Sequence, residues 1–573
     1  MLNLKPRRIV PALIAVFAFL ALTVGAANAA APQAKKKAPV NPAASVLEQR
    51  KLIRSILAAG KLSELRWPIF DEFRAPATAL YQGGQFAPVW IRNGGPTMQA
   101  GEMVAILEHS DVDGLNPEDY DGTRWDYRLV RLQSSAHTPQ DEASFDVALT
   151  VCAMRYASDI HGGRTPRAAR APLDVTPGKL NVAAFVRGLT NSLDLRADVS
   201  TIEPPLMAYK RLRTALKRYT ELASKDDGAA LPAPKDGILF ENSDYDALPR
   251  LAQLLKIFGD LAENVEVPEG STKYTPEIAA AVKHFQIRHG LRSDGYIDPD
   301  TLEDLNVSVK ARIAQMRLAL ERFRWFRYDQ GEPPILINVP GFRLYALDER
   351  GEVALSMTVD VGQDFKKTRT PVLESTIDSL IFRPYWEVPF DIQRNEIVPE
   401  IKDDPDYMIK YHFEAIGRDG KAYSGAVRGP MLEQIRSGAL RLRQKPGPDN
   451  SLGLLKFNFP NRYSVYLHDV PNWEDYFSEY ERSISHGCVH VQNPAQLAAW
   501  ILRDSPNWSY EKVQRAMKSG PDAFRVVPPR PVPVIIAYMT SAVQENGDLY
   551  FYPDLYGYDS ELEAALDKQS VHP

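Results

Sequence analysis

Hydrophobic positions along the chain follow two different periods, and the change from one to the other divides the sequence. From residue 44 to about residue 222, apolar side chains recur every three or four residues, as on one face of an α-helix. The clearest helical stripe contains Phe145, Leu149, Cys152, Tyr156 and Ile160. From about residue 332 the period is two, which predicts strands at 335–339, 342–347 and 353–361. The pattern predicts a multidomain α+β protein, helical first and β-rich last.

A small helical module separates these two parts, at residues 244–308. Thr275 and Asp298 each precede a proline, which is typical of an N-cap followed by the first helical position. Residues 223–243 are rich in turn-forming residues and are predicted to be a linker. His284 and His289 lie five residues apart in the module, and we expect both at the surface rather than as a metal pair.

The first residues are typical of an export signal. Lys5, Arg7 and Arg8 precede an apolar run, and small residues then predict a cut after Ala29. The alternative is an uncleaved anchor, because the run is barely long enough to span a bilayer. Residues 1–29 are therefore predicted to be a signal peptide and residues 30–43 a flexible leader. We expect an exported protein that is soluble or tethered.

Composition narrows the class of protein further. The chain has 573 residues, of which 44% are hydrophobic and 25% charged, so it is globular and long enough for about three domains. Its net charge is −5 and no long basic run follows the first forty residues, so we expect no nucleic-acid partner. Two cysteines, Cys152 and Cys488, cannot form a disulfide framework.

Candidate chemistry is concentrated between residues 468 and 493. A cysteine nucleophile needs a base that removes its proton and N–H groups that stabilise an oxyanion. Cys488 is the candidate nucleophile, Gly487 allows close backbone approach, and three histidines are candidate bases: His468, His486 and His490. If residues 486–490 are extended, His486, Cys488 and His490 share one face, and a zinc site is an alternative. A chance cluster is the third reading.

The stretch Ser485-His486-Gly487-Cys488 resembles the Ser/Thr-His-Gly-Cys signature of the L,D-transpeptidases, which have a YkuD-type catalytic domain. The stretches 385–389 and 447–461 are similar to the large, YcbB-like subgroup of that family. Residues 80–90 and 113–120 resemble the scaffold domain of this subgroup, and residues 282–302 resemble a peptidoglycan-binding domain.

The resemblance implies a domain plan. It consists of a helical scaffold domain at 44–222, a three-helix peptidoglycan-binding domain at 244–308 and a β-rich catalytic domain at 332–510. A lid insertion is expected at about 391–450, for which the alternative is a surface decoration, and a C-terminal extension at 511–573 is expected to pack on the catalytic domain.

The resemblance also implies a reaction. Cys488 would attack a tetrapeptide stem of peptidoglycan at the L-centre of diaminopimelate, release D-alanine and pass the acyl group to another stem, forming a 3→3 cross-link. An L,D-carboxypeptidase and a partner-dependent wall-binding scaffold with weak catalysis are the alternatives. Implied partners are peptidoglycan stems, carbapenem inhibitors and proteins of cell-wall synthesis; no metal or cofactor is implied.

Roles for single residues follow from the same resemblance. Cys488 is the nucleophile and His468 the proton donor and acceptor, while the backbone of Gly487 and Cys488 would hold the oxyanion. His486 would shape the site, and either Asp469 or a backbone carbonyl would orient His468. Implied substrate-binding residues are Ser485, His490, Asn493, Trp386 and Tyr385. His490 departs from the Arg that is usual in this subgroup, which predicts a different substrate affinity or a different pH dependence.

Overall fold

The computed structural model describes residues 42–166, 170, 173, 175, 178–326, 332–365, 368–471, 477 and 482–571. The predicted signal peptide and all but the end of the predicted leader lie outside the described residues. Among the described residues, no helix combines the length and the apolar character needed to cross a membrane.

The N-terminal domain is helical, as its period predicts. Its helices are Pro42–Ala59, Asp71–Gln82, Met98–Glu108, Trp125–Gln133, Pro139–Gly162, Val182–Leu189, Leu195–Ser200 and Met207–Leu222. A two-stranded hairpin, β1 (Ile91–Arg92) with β2 (Gly95–Pro96), lies between the second and third. The central helix begins at a capping box, in which the side chains of Thr138 and Asp141 each accept from the other's backbone N–H. Cys152 is fully buried in this helix, and burial raises the pKa of its thiol to about 12.

The small module contains the helices Leu248–Phe258, Pro276–Arg288 and Pro299–Leu305. The predicted caps are present, since Thr275 accepts from the N–H of Ile278 and Asp298 from that of Thr301. The predicted linker is more closely attached than expected. Leu231 and Leu239 are buried in the core that the module shares with the last domain, because apolar side chains in a turn-rich segment still gain by burial.

Helix Val309–Phe323 then leads into the C-terminal domain. Its main sheet has eleven strands. They are β3 (Ile335–Asn338), β4 (Arg343–Leu347), β5 (Val353–Gly362), β6 (Leu373–Ile377), β7 (Ser379–Phe382), β12 (Leu455–Asn458), β13 (Leu467–His468), β14 (Ser483–Ser485), β15 (Val489–Val491), β16 (Phe524–Val526) and β17 (Val532–Ala537). The order is β16-β7-β12-β13-β15-β5-β4-β3-β17-β6, with β14 beside β5.

This sheet extends past the predicted domain boundary at residue 510. Strand β17 lies between β3 and β6, and β16 pairs with β7, so the segment predicted as a packed extension supplies two strands of the sheet itself. Every residue of β17 is buried, as expected for an apolar strand covered on both faces. The remaining C-terminal elements are β18 (Ser541–Val543), β19 (Leu549–Phe551) and the helices Pro494–Ile501, Tyr510–Ser519 and Tyr558–Val571.

The segment predicted to be a lid insertion folds, together with Trp386–Glu387 just before it, into a compact unit with its own small core. A four-stranded sheet runs in the order β10-β9-β11-β8, from β8 (Trp386–Glu387), β9 (Phe413–Ile416), β10 (Ala422–Tyr423) and β11 (Arg441–Gln444). The helices are Phe390–Ile392, Val398–Asp403, Tyr407–Lys410 and Pro430–Arg436, with one π-helical turn at Gln393–Ile397. Its core, which includes Ile401, Met408 and Leu442, is separate from the core of the main sheet.

Candidate active site

Sheet pairing brings together residues that lie apart in the chain. Strand β13 runs parallel to β15 and places His468 opposite His490. Cys488 immediately precedes β15, where the N–H of Val489 donates to the carbonyl of Tyr466 at 2.9 Å. On the other side, β12 places Lys456 opposite His468. The predicted nucleophile and the predicted base thus sit at neighbouring strands in the middle of the sheet.

The surroundings of His468 determine which of its ring nitrogens carries the proton. Its Nδ1 lies 2.6 Å from the carbonyl oxygen of Asp469. Because a carbonyl only accepts, Nδ1 carries the hydrogen and Nε2 is left as the basic nitrogen. Burial, helped by His490 and Lys456, lowers the pKa of His468 to about 3. The ring is therefore neutral at physiological pH. Of the two orienting groups that the sequence offers, the backbone carbonyl makes this contact.

The carboxylate of Asp469 makes hydrogen bonds to the backbone. Its Oδ2 accepts from the N–H of Leu454 at 2.8 Å, and its Oδ1 accepts from the N–H of Val470 at 2.9 Å. Both bonds hold the chain around β13, so the carboxylate positions His468 through the backbone.

Cys488 is held as a thiol in the resting site. Burial raises its pKa, while a backbone hydrogen bond from Tyr466 and the charge of Lys456 act in the opposite direction. Because burial is the larger effect, the thiol needs a base to ionise, and a neutral His468 can serve.

Lys456 is a site residue that the sequence interpretation missed. Its Nζ lies 3.4 Å above the centre of the Tyr466 ring, and its pKa is lowered by burial and raised by Cys488. Lys456 is half-buried between the buried Leu455 and Phe457, an alternation that is ordinary for a strand, so the sequence held no local signal. Its pairing with His468 depends on sheet register.

The nucleophile loop, residues 485–488, is fixed by its own hydrogen bonds. The hydroxyl of Ser485 donates to the carbonyl of Cys488 at 2.6 Å and accepts from the N–H of Gly487 at 3.0 Å. Ser485 is buried, and the described hydrogen bonds of its hydroxyl are within the loop rather than with an open groove. Of the two predicted oxyanion donors, Gly487 is engaged in this conformation. No acceptor for the N–H of Cys488 is found among the described residues.

Three residues outside the nucleophile loop hold it in place: Gly362, Thr370 and Tyr556. A Cβ on Gly362 would lie 1.8 Å from the carbonyl oxygen of Thr368, so this position needs glycine. The hydroxyl of Thr370 donates to the carbonyl of Gly487 at 3.0 Å, and the N–H of Gly362 donates to the same hydroxyl at 2.8 Å. Tyr556, the third of these residues, donates its hydroxyl to the carbonyl of Gly362 at 2.6 Å. Sequence reasoning missed Tyr556 because it lies far along the chain.

His486 faces the lid insertion. Its Nε2 lies 2.8 Å from Oε1 of Glu396 in the π-helical turn, and both side chains are about half exposed. Gly487, with a φ of +107°, interrupts the strand, so residues 486–490 do not form the single extended segment that the zinc alternative requires. Within the described ranges, no group of three His, Cys, Asp or Glu side chains could hold a metal ion.

The other predicted substrate-binding residues are spread over three places. Trp386 packs against Phe413 in the lid core, with ring centres 6.1 Å apart. Arg443 stacks over the ring of Tyr385 at 4.3 Å. Asn493 is exposed at the start of helix Pro494–Ile501. His490 is close to the predicted base, with its ring centre 4.8 Å from that of His468.

Comparison with known families defines the class of each domain. Residues 333–534 match the L,D-transpeptidase catalytic domain (YkuD), and residues 75–216 match a family described as scaffold domain. Residues 246–305 match the family described as "Putative peptidoglycan binding domain". The chain therefore contains an L,D-transpeptidase catalytic domain together with a scaffold domain and a peptidoglycan-binding domain, as the resemblance of its motifs predicts.

Individual relatives can be named. A Haemophilus influenzae protein named "Putative L,D-transpeptidase" is 30% identical over 232 residues, which are 40% of this chain and 45% of that protein. The match thus spans less than half of the relative. A crystal structure of an L,D-transpeptidase from Xylanimonas cellulosilytica is 15% identical, with a TM-score of 0.16, and the match covers 53% of this chain and 98% of that one.

Proposed function

We propose that the protein is an exported L,D-transpeptidase of the cell envelope that forms 3→3 cross-links between peptidoglycan stems through an acyl-enzyme on Cys488. The observation that supports the proposal is that Cys488 and a neutral His468, whose Nδ1 is fixed by a carbonyl, lie at neighbouring, paired strands. The peptidoglycan-binding domain in the same chain and the signal-like N-terminus agree with this substrate and location.

The first step forms the acyl-enzyme. His468 Nε2 takes the thiol proton, and the sulfur attacks the carbonyl carbon of the third stem residue, at the L-centre of diaminopimelate. The N–H of Cys488 donates to the oxyanion that develops. The C–N bond to the terminal D-alanine then breaks, and the imidazolium of His468 returns its proton to the departing amine.

The second step passes the acyl group on. The side-chain amine of a second stem attacks the thioester, the C–S bond breaks, and the proton released by the amine returns to sulfur through His468. If water attacks instead, the product is a tripeptide and the enzyme acts as an L,D-carboxypeptidase. The lid insertion, which contacts His486 through Glu396, is placed to limit access of water.

Mass spectrometry tests this proposal directly. The purified chain is incubated with disaccharide-tetrapeptide beside two variants, Cys488→Ala and Cys152→Ala. We expect a dimer lighter than two monomers by one free alanine from the parent and from Cys152→Ala, and none from Cys488→Ala. Cys152 is the matched control because it is a buried cysteine in the N-terminal domain core.

Other products would change the assignment. Tripeptide without dimer would replace transfer by hydrolysis, and no product from a folded protein with a free thiol would favour a partner-dependent scaffold. We also propose that carbapenems acylate the same thiol, since their strained carbonyl offers sulfur the same attack. A mass adduct on the parent, absent from Cys488→Ala, is the expected result in the same experiment.

A further inference from the structure

A buried carboxylate lies behind the catalytic histidine. Asp360 on β5 is directly opposite His490 on β15, and its Oδ2 lies 3.5 Å from Nδ1 of His490. Asp360 is completely buried, and neither of its oxygens accepts a hydrogen bond from any residue that the structure describes. A buried carboxylate without donors is costly, so its presence beside the site calls for a function.

One carboxylate and two imidazole rings thus lie next to one another in space. Asp360 is next to His490, and the ring of His490 stands edge-on to that of His468 at 4.8 Å. His468 is in turn the base that must become an imidazolium when it takes the proton of Cys488. A positive charge in a buried site needs a compensating negative charge nearby.

Three other charged or titratable groups among the described residues affect Asp360, His490 and His468. The charge of Arg482, just before β14, lowers the pKa of Asp360, and His486 lowers the pKa of His490. Lys456 faces His468 from β12 and disfavours a cation there. Burial lowers the pKa of His490 to about 4, so this ring is neutral at pH 7, while burial raises the pKa of Asp360 to about 7. Asp360 thus gains its negative charge within the physiological range.

We propose that Asp360 is a positioning residue that acts through His490 to stabilise the imidazolium formed on His468. When Asp360 is ionised, Nδ1 of His490 carries its hydrogen toward the carboxylate, and the pair places a net negative charge behind His468. When Asp360 is protonated, that charge is lost. A single proton moves in this step, from Cys488 to His468. The inference deepens the proposed function, on which it rests for its consequence in catalysis.

Alkylation of Cys488 by iodoacetamide tests the inference without peptidoglycan. All variants are made in a Cys152→Ala background, and the second-order rate is measured from pH 5 to pH 10. In the parent, we expect the rate to rise as Asp360 ionises near pH 7. In Asp360→Asn the rise should move to higher pH, and the rate at pH 7.5 should fall about tenfold, the factor for one pKa unit.

Three further variants make the result specific. Asp360→Glu should restore part of the rise, and His490→Gln should show the same shift as Asp360→Asn, because it removes the link to His468. Asp522→Asn, whose carboxylate pairs with Arg383 at the surface, should behave as the parent. If Asp360→Asn does not fold, His490→Gln carries the test.

The inference is overturned if the rate profile of Asp360→Asn or of His490→Gln coincides with that of the parent. It is equally overturned if both lose rate uniformly with no shift along the pH axis, which is what a structural defect would produce. Because alkylation needs no stem peptide, this outcome is independent of whether the protein forms cross-links.

Discussion

At Cys488, burial and neighbouring groups act on the thiol in opposite directions. Burial disfavours the thiolate, while Lys456 and a backbone bond from Tyr466 favour it. Tyr466 contacts both residues. Lys456 lies over the face of the Tyr466 ring, and the backbone of Tyr466 makes a hydrogen bond to Cys488. A single positive charge on β12 therefore influences the nucleophile, although the two residues are 32 positions apart in the sequence.

Replacing Lys456 tests this influence. We expect Lys456→Met, which keeps the length of the side chain, to raise the pKa of Cys488 and to slow its alkylation at pH 7.5 about tenfold. The matched control is Lys512→Met, which removes a lysine that lies over Trp508 at 5.2 Å, outside the site. An unchanged alkylation rate in Lys456→Met would show that the charge is screened from the sulfur.

The individual chemical groups could be predicted better than their surroundings. The rarity of cysteine and the clustering of histidines made Cys488 a candidate nucleophile, and the resemblance of the motif favoured it over a zinc site; its role stays a prediction. The positions of Lys456, Asp360 and Tyr556 in the site were not predicted, because they depend on strand register and on contacts between distant segments. His289 shows the opposite error. It was expected at the surface, but its ring is buried and stacks on Phe285 with centres 3.7 Å apart.

At the scale of elements, the nucleophile loop depends on a residue of the C-terminal segment. Tyr556 donates to the carbonyl of Gly362 and accepts from the N–H of Thr370 at 3.2 Å. Thr370 then holds the carbonyl of Gly487. The loop is thus connected to Tyr556 by a chain of buried hydrogen bonds, each of which would leave an unsatisfied group if broken.

Removing one hydroxyl tests this chain. In Tyr556→Phe, two buried backbone groups lose their partner, which costs about 1–3 kcal/mol. We expect lower thermal stability and a turnover number reduced more than the KM, because the loop that we propose to hold the oxyanion is displaced. Tyr510→Phe, at an exposed position, is the control. A Tyr556→Phe enzyme with parental turnover would contradict the proposed support.

The elements themselves were predictable where the period was clear. The hairpin of β4 and β5, with its turn at Asp348–Gly351, forms as the alternation of apolar residues and the turn residues predict. The boundary at residue 510 was wrong in physical terms because β17 pairs with β3, a partner nearly 200 residues earlier. Local pattern identifies such a strand as buried but does not identify its neighbour.

At the scale of the whole molecule, the small module and the C-terminal domain share one hydrophobic core. His289 lies at this junction, near Phe551 at 5.3 Å, with its Nδ1 paired to Asp304. Arg288 reaches the carbonyl of Leu549 and pairs with Asp260 at 2.5 Å. The peptidoglycan-binding domain is therefore joined to the hairpin of β18 and β19 by the buried Arg288–Leu549 contact as well as by apolar packing.

This junction predicts a loss of stability in acid. Burial lowers the pKa of His289 to about 4, below its ordinary value of 6.5. The unfolded chain therefore binds a proton first as the pH falls, and the contribution of His289 declines from about pH 6.5 towards pH 4. Between pH 7 and pH 5 we expect a loss of roughly 2 kcal/mol, measured by urea unfolding.

Substitution identifies the group responsible. His289→Gln should be less stable than the parent at pH 7 but should lose less stability on going to pH 5. His412→Gln, at an exposed position of the lid insertion, should keep the full dependence on pH. Equal slopes for the parent and His289→Gln would assign the acid sensitivity to other groups.

The protonated resting state of Cys488, whose side chain is only partly exposed, has a consequence for the exported enzyme that we propose. Oxidants such as hydrogen peroxide react with thiolates far faster than with thiols, and the first product is a sulfenic acid. Because burial keeps the pKa of Cys488 raised, little thiolate is present between turnovers. In the exported enzyme that we propose, the thiolate would form mainly while a base draws the proton away, so the sulfur of Cys488 would be protected from oxidation between turnovers.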